Sequence, residues 1–317
     1  MSKKHLCIYH DECADGFGAA LAVKKYWDKQ GVPDRDREYL AASYGDTPPD
    51  VTGRHVEIVD FSYGRVDLIE MHRKAESLVV IDHHKTAQQA LDGLDFCHFD
   101  MTQSGAMLAW RLYMGDRFIP NLIHYIQDRD LWKWSLAHSK EVSAALQSLP
   151  FDLEVWEQYL DDELIERLVD MGGPVLQYQE RRIHSAMKHQ RDMVYIAGHL
   201  VPCMNATHLV SEIGNSLSDG YPFSITYFDK PNERVYSLRS KQNGVDVSDI
   251  AKSLGGGGHK HSAGFTIKGS ELLVNVFGED SESLIVDISV SPEEQLAFDK
   301  TKVMDKGSFY RLPEYNG

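Results

Sequence analysis

The sequence predicts an α/β protein: a mostly parallel N-terminal sheet with helices on both faces, a helical connector, and a smaller mixed α/β C-terminal domain. Three observations carry that expectation. Over the first 135 residues, short apolar runs alternate with helical patterns, the signature of βαβ units. From residue 119 to about 191 the pattern is helical throughout. Beyond it short strands return, two of them joined by the turn Asp229-Lys230-Pro231-Asn232-Glu233.

In chain order, residues 6–9 form a short buried strand and residues 16–30 a helix. A second strand covers 56–60, a helix 66–77, a third strand 78–81 and a short helix 87–91. Residues 94–99 add a further strand before a helix over 104–114. Pro120, Pro150 and Pro174 mark breaks in the helical region, because proline lacks the N–H a helix interior needs. The stretch 164–187 is a long connecting helix interrupted at Gly172-Gly173-Pro174. Strands follow at 194–196, 223–228, 235–239 and 263–267. Asp246 caps a short helix with apolar residues at Val247, Ile250, Ala251 and Leu254, ending in four glycines. Residues 271–290 read as further strand material for the second sheet or for an oligomer contact. These elements place the domains at 1–190 and 191–317, with no low-complexity linker and no internal repeat.

The 317 residues hold 33 basic and 48 acidic side chains, a net charge of −15, which disfavours a grip on long duplex nucleic acid. Short anionic pieces in a local basic pocket stay open. The four cysteines are scattered without a C-x-x-C pair and read as reduced thiols. No apolar window approaches the length of a membrane span or a signal sequence, so a cytoplasmic protein is expected.

Three clusters fall at the C-terminal ends of predicted parallel strands, the edge where open α/β sheets bind ligands. They are His10 to Gly16, Asp60, and Asp82-His83-His84; Asp128-Arg129-Asp130 follows a helix as a fourth. Singly, each has an ordinary reading as helix cap, turn residue or ion-pair partner. Together they converge many carboxylates on one edge, where mutual repulsion calls for a cation. Mixed histidine and carboxylate ligands favour manganese, zinc or iron over calcium, with magnesium also open. The run Glu180-Arg181-Arg182-Ile183-His184 reads as a solvated helix face, and Trp132 and Trp134 as packing residues beside the Asp128 cluster.

Asp82-His83-His84 after an apolar strand, with Asp15-Gly16 and Asp60 upstream and Asp128 downstream, resembles the DHH phosphoesterase superfamily. Leu238-Arg239-Ser240-Lys241, then 245–254, then Gly255-Gly256-Gly257-Gly258-His259 and Ser262-Ala263-Gly264-Phe265, resembles the DHH-associated C-terminal domain. The resemblance spans about residues 5–267 and implies a two-metal, usually manganese-dependent phosphohydrolase, with magnesium as the alternative. It implies His10, Asp15, Asp60, His83 and Asp128 as metal ligands, Asp60 bridging two ions to activate water. His84 lies at the scissile phosphate, and Arg239, Gly256, Gly257, Gly258 and His259 hold the distal part of a substrate bound between two domains.

The implied substrates are short oligonucleotides or small nucleotides. The alternatives are inorganic polyphosphate or pyrophosphate, or a catalytically silent nucleotide-binding module. Members of the family are often dimeric, and a homodimer is carried by the resemblance alone. One position departs from the family pattern: Cys13 stands two residues before Asp15, where an aspartate is usual. The candidates for that place are Cys13, Asp11 and Glu12, with Cys13 as a mere small buried thiol the other reading.

Overall fold

The computed structural model describes residues 4–188 and 192–268. The chain divides into two compact units, residues 1–178 and 179–317. The first unit runs β1 (His5–His10), α1 (Ala14–Gln30), β2 (Arg37–Ala42), β3 (His55–Val59), α2 (Arg65–Lys74) and β4 (Ser77–Asp82). It continues with α3 (Lys85–Leu91), β5 (Cys97–Phe99), α4 (Gly105–Met114), α5 (Asn121–Asp130), α6 (Ser139–Ser148), α7 (Leu153–Glu157) and α8 (Ile165–Ala186). The five strands are all parallel in the order β2-β1-β3-β4-β5.

Alternation along the central strands supplies both faces of this sheet. Leu6, Ile8, Val56, Ile58, Leu78 and Val80 pack with Leu68 and Met71 of α2. Cys7, Val59 and Ile81 point the other way, into a core with α1, α4 and α5. Both faces are therefore apolar, as a covered parallel sheet requires. The strand β2 was not expected from the sequence, because Arg-Glu-Tyr-Leu-Ala-Ala opens on two charges and ends on two alanines, residues with weak strand preference. It is an edge strand, and Arg37 at its start is satisfied by Asp28 and by the Val32 carbonyl.

Close approach explains the small residues of α1. A Cβ on Gly16 would sit 2.4 Å from the His10 carbonyl oxygen, and one on Gly18 2.7 Å from Ile126. Contrary to the expected interruption, α8 runs through Gly172-Gly173-Pro174 as one helix. Gly172 is there for packing, since a Cβ would fall 1.7 Å from the Glu141 carbonyl oxygen of α6.

Glu57 on β3 shares a face with Val59. Its Oε1 lies 3.4 Å from Trp27 Nε1, and its Oε2 is buried with no hydrogen-bond partner. Burial raises this carboxyl from 4.5 to about 7. The folded chain therefore holds a proton that the unfolded chain has already lost. Stability falls as pH rises from about 4.5 to about 7, and the loss stays in force above that. Glu57→Gln keeps the volume and the acceptor for Trp27. The variant should be more stable than the parent at pH 8, by roughly 2–3 kcal/mol or several degrees in melting temperature. The gap should close near pH 5. Melting curves that differ equally at both pH values would refute this.

The second unit contains β6 (Asp192–Ile196), β7 (His199–Asn205), α9 (Val210–Leu217), β8 (Ser224–Lys230), β9 (Glu233–Arg239), α10 (Val247–Ser253), β10 (Gly257–His259) and β11 (Ser262–Lys268). They form a sheet of order β10-β11-β9-β8-β7-β6, antiparallel except between β7 and β8. One face packs Val247, Ile250 and Ala251 of α10 against Phe223, Ile225, Leu238 and Phe265. The other carries Ile213 and Leu217 of α9 with Met204 and Ala206. Both β7, with its internal Pro202, and the eight-residue α9 went unread in the sequence. The expected strand material at 271–290 lies outside the described residues. Among the described residues no helix is long and apolar enough to cross a membrane.

Candidate metal centre

The strand order changes direction between β1 and β3, which opens a crevice at their C-terminal ends. His10 ends β1, Asp60 directly follows β3, and Asp82 ends β4, with His83 and His84 just beyond. Asp60 adopts a left-handed conformation, φ 55°, with its N–H donating to the Ile81 carbonyl at 2.8 Å. Aspartate is one of the few residues with a side chain that tolerates this region. Asp15 enters from the first turn of α1, and the N-terminus of α4 fixes it: Gly105 N–H donates to Oδ2 at 2.5 Å and Ala106 N–H to Oδ1 at 3.0 Å.

The result is a dense, buried charge cluster. Asp15, Asp60, Asp82 and His83 are each at most 2% exposed. His83 Nε2 lies 3.0 Å from Asp60 Oδ1, 3.5 Å from Asp15 Oδ2 and 3.6 Å from Asp130 Oδ2. His10 Nδ1 lies 3.6 Å from the other oxygen of Asp60. Asp82 Oδ1 accepts from the backbone N–H groups of His83 and His84 and sits 2.7 Å from His84 Nδ1, which sets the angle of that ring.

Burial and repulsion from Asp60 and Asp130 push the Asp15 carboxyl well above the usual carboxylate range. Burial likewise raises Asp130. For Asp60 burial acts in the same direction, but the adjacent His10 and His83 rings hold it well below the usual range.

This chemistry fits divalent cations. Asp82 Oδ2, Asp130 Oδ2 and His10 Nδ1 are buried without hydrogen-bond partners, an arrangement that is costly unless something positive meets them, while Asp60 Oδ1 faces the His83 ring. Two donor groups stand side by side, His10 with Cys13 and Asp60, and Asp15 with His83 and Asp130, each with its ligand atoms within 4.8 Å of one another. Asp60 turns one carboxylate oxygen toward His10 and the other toward His83.

Asp128 corrects an expectation. Its carboxylate is turned into the following loop, where it accepts from Ser135 N–H at 2.9 Å, Ser135 Oγ at 2.5 Å and Leu136 N–H at 3.2 Å. Two positions along a helix are about 200° apart, so Asp128 and Asp130 cannot face the same way. The cluster takes Asp130. Asp128 instead ties down a loop in which Trp132, Trp134 and His138 all have positive φ. The half-buried Trp132 and Trp134 pack edge to face with centroids 5.2 Å apart, and Arg129 lies over Trp132 at 4.6 Å.

Cys13 reaches the cluster, while Asp11 and Glu12 remain exposed on the turn. Sequence reasoning named Asp130 only as part of the Asp128-Arg129-Asp130 cluster, choosing Asp128 within it, and missed the α4 N-terminus and Tyr44. The Tyr44 ring is 54% exposed and lies 5.7 Å from both the His10 and His84 rings. Gln103-Ser104-Gly105 did carry a signal, a capping serine before a glycine at a helix start.

In the second unit, Arg239 at the end of β9 donates to Ser211 Oγ and Ser237 Oγ, both at 2.8 Å. Lys241 is held beside it by Asn215 Oδ1 at 2.8 Å and by Asp219 at 2.9 Å. The glycine run is less of a free loop than expected. Gly257, Gly258 and His259 form the edge strand β10, and a Cβ on Gly256 would lie 2.0 Å from the Gly264 carbonyl oxygen. Close backbone packing therefore accounts for part of the glycine signal. Gly258, at φ 138°, occupies a conformation that side chains avoid.

Comparison with known proteins finds a family domain and several relatives. The model of the DHHA1 domain matches residues 207–283. Uncharacterized protein R106 of Acanthamoeba polyphaga mimivirus is 29% identical over 282 residues, 83% of this chain and 67% of that protein. Oligoribonuclease NrnB of Bacillus subtilis is 27% identical over 212 residues, 59% of this chain and about half (52%) of NrnB. Among solved structures, RecJ of Thermus thermophilus in complex with Mn2+ superposes with a TM-score of 0.46 and 13% identity, covering 86% of this chain and 50% of RecJ. The DHHA1 match at residues 207–283 and the similarity to NrnB support a likeness to the DHH phosphoesterase superfamily.

Proposed function

We propose that this protein is a metal-dependent hydrolase that cleaves the phosphodiester bonds of short oligoribonucleotides. The observation that carries the reading is the buried cluster of Asp15, Asp60, His83 and Asp130 at the sheet crevice, with carboxylate oxygens left unpartnered. In it, Asp15, His83 and Asp130 would hold one divalent ion and His10 would help hold a second, with Asp60 available to either through its two carboxylate oxygens. Such a pair, when bound, lowers the pKa of water and neutralises charge on a phosphoryl group. The protein's own side chains do the rest. The α4 N-terminus keeps the Asp15 carboxylate aimed inward. Asp82 occupies His84 Nδ1, so Nε2 is the ring atom that reaches a phosphate oxygen. Tyr44, exposed at the lip, offers a face for a base.

The substrate class rests on two supports: similarity to NrnB, named an oligoribonuclease, and a net charge of −15 that disfavours long nucleic acid. The same reading makes residues 1–190 the catalytic part and residues 191–317 the substrate-holding part, with Arg239 and the segment 256–259 as contacts. The test is product analysis of the purified protein with manganese. The substrates are 5′-phosphorylated RNA dinucleotides, a 24-mer, 3′-phosphoadenosine 5′-phosphate and polyphosphate. Rapid mononucleotide release from the dinucleotide with slow attack on the 24-mer is expected. Preferential release of phosphate from polyphosphate would replace the substrate assignment. A folded, metal-loaded protein that turns over none of them would refute hydrolysis and favour a nucleotide-binding role.

A further inference from the structure

The two donor groups of the metal centre differ in chemistry. Asp15, His83 and Asp130 offer two carboxylates and one imidazole, a set that suits manganese or magnesium. His10, Cys13 and Asp60 offer an imidazole, a thiol and a carboxylate within 4.8 Å of one another. We infer that Cys13 is a thiolate ligand, and that the position it shares with His10 and Asp60 takes a zinc-class ion rather than manganese. The inference rests on the metal-centre reading above and refines it: the pair of ions is mixed, hard beside Asp15 and thiophilic beside Cys13.

Three features of the chain support it. Cys13 occupies the N-cap of α1, yet its side chain makes no capping hydrogen bond to the helix start. The neighbouring donors converge on the same place: Asp60 is 1% exposed and turns Oδ2 toward His10 Nδ1 at 3.6 Å, and that ring nitrogen is buried without a hydrogen-bond partner. Asp11 and Glu12, the carboxylates that could have supplied a harder ligand, are exposed, and the left-handed turn at Glu12 (φ 50°) brings Cys13 in instead. The other three cysteines, Cys7, Cys97 and Cys203, belong to no metal-binding group among the described residues. A sulfur donor selects zinc or iron over manganese, because the softer ion bonds thiolate more strongly.

Cobalt(II), a spectroscopic substitute for zinc, separates this inference from the reading beneath it. The full-length protein, stripped with a chelator, is titrated with Co2+ without oxygen. Visible d–d bands together with a near-ultraviolet thiolate-to-cobalt charge-transfer band are expected, and Cys13→Ser should abolish the second while keeping the first. Saturable d–d bands without charge transfer in the parent protein would overturn the role of Cys13 and leave the metal centre standing. No cobalt binding would overturn both. A second measurement needs no variant. Stoichiometric Zn2+, but not Mg2+, should slow alkylation of Cys13 by iodoacetamide at least tenfold, followed by peptide mass mapping. Equal alkylation rates with and without zinc would overturn the assignment. Cys13→Asp should shift the ratio of zinc to manganese affinity at least tenfold toward manganese, and an unchanged ratio counts against it.

Discussion

Asp60→Asn is expected to lower phosphodiester hydrolysis by at least about a hundredfold while leaving the fold intact. Asn is the appropriate replacement because Asp60 sits at φ 55°, a conformation Asn tolerates and alanine does not. The amide keeps the shape but halves the acceptor capacity and removes the charge. It then meets His10 on one side and His83 on the other without the negative charge that both rings face. Metal content should fall in parallel, read by elemental analysis of the dialysed protein. Asp130→Asn should produce the same kind of loss. Asp128→Asn should instead loosen the 131–136 loop and lower the melting temperature, because its carboxylate is engaged with Ser135 and Leu136. Near-normal turnover in folded Asp60→Asn would end the shared-ligand role. Equal activity losses at Asp128 and Asp130 would contradict the division of labour between them.

Gly105→Ala should be nearly as damaging, although the residue carries no chemistry of its own. A Cβ at this position would stand 2.5 Å from Asp60 Cβ and 2.6 Å from Asp60 Oδ1, too close for any side chain. Either the Asp60 carboxylate moves or the start of α4 retreats. The second response pulls away the two N–H groups that hold Asp15. Both responses open the cluster by roughly 1 Å, a misplacement that costs about a hundredfold in rate where geometry controls the reaction. Overpacking of this kind costs roughly 1–3 kcal/mol of stability, so the variant should still fold. Turnover and the circular dichroism melting curve, measured side by side, check both halves. Activity within twofold of the parent would show that α4 and Asp60 do not share this tight contact.

Several parts of this architecture can be read directly from residue order. The runs 6–9, 56–60 and 78–81 are apolar enough to be covered strands, and they are β1, β3 and β4. Strand ends of such a sheet share one edge, so His10, Asp60 and Asp82-His83-His84 converge by topology alone. Elements without a contrasting pattern were not legible. The edge strand β2 has no apolar alternation, β10 is almost all glycine, and β7 contains a proline. The glycine and proline pair in α8 looked like a break because local propensity disfavours helix there. The long helix persists because Gly172 gives α6 room to pack against it.

The sequence alone pointed to the parallel α/β sheet, the family resemblance and the strand ends that carry His10, Asp60 and Asp82-His83-His84, since apolar periodicity and a short motif are local properties that survive in one dimension. Only the tertiary structure showed that Asp130 rather than Asp128 faces the cluster, that Cys13 lies beside it while Asp11 and Glu12 are exposed, and which backbone N–H groups hold Asp15. Those choices depend on which side of a helix or turn faces a partner distant along the chain, as in the contact of Gly105 with Asp15, and no local pattern records that direction.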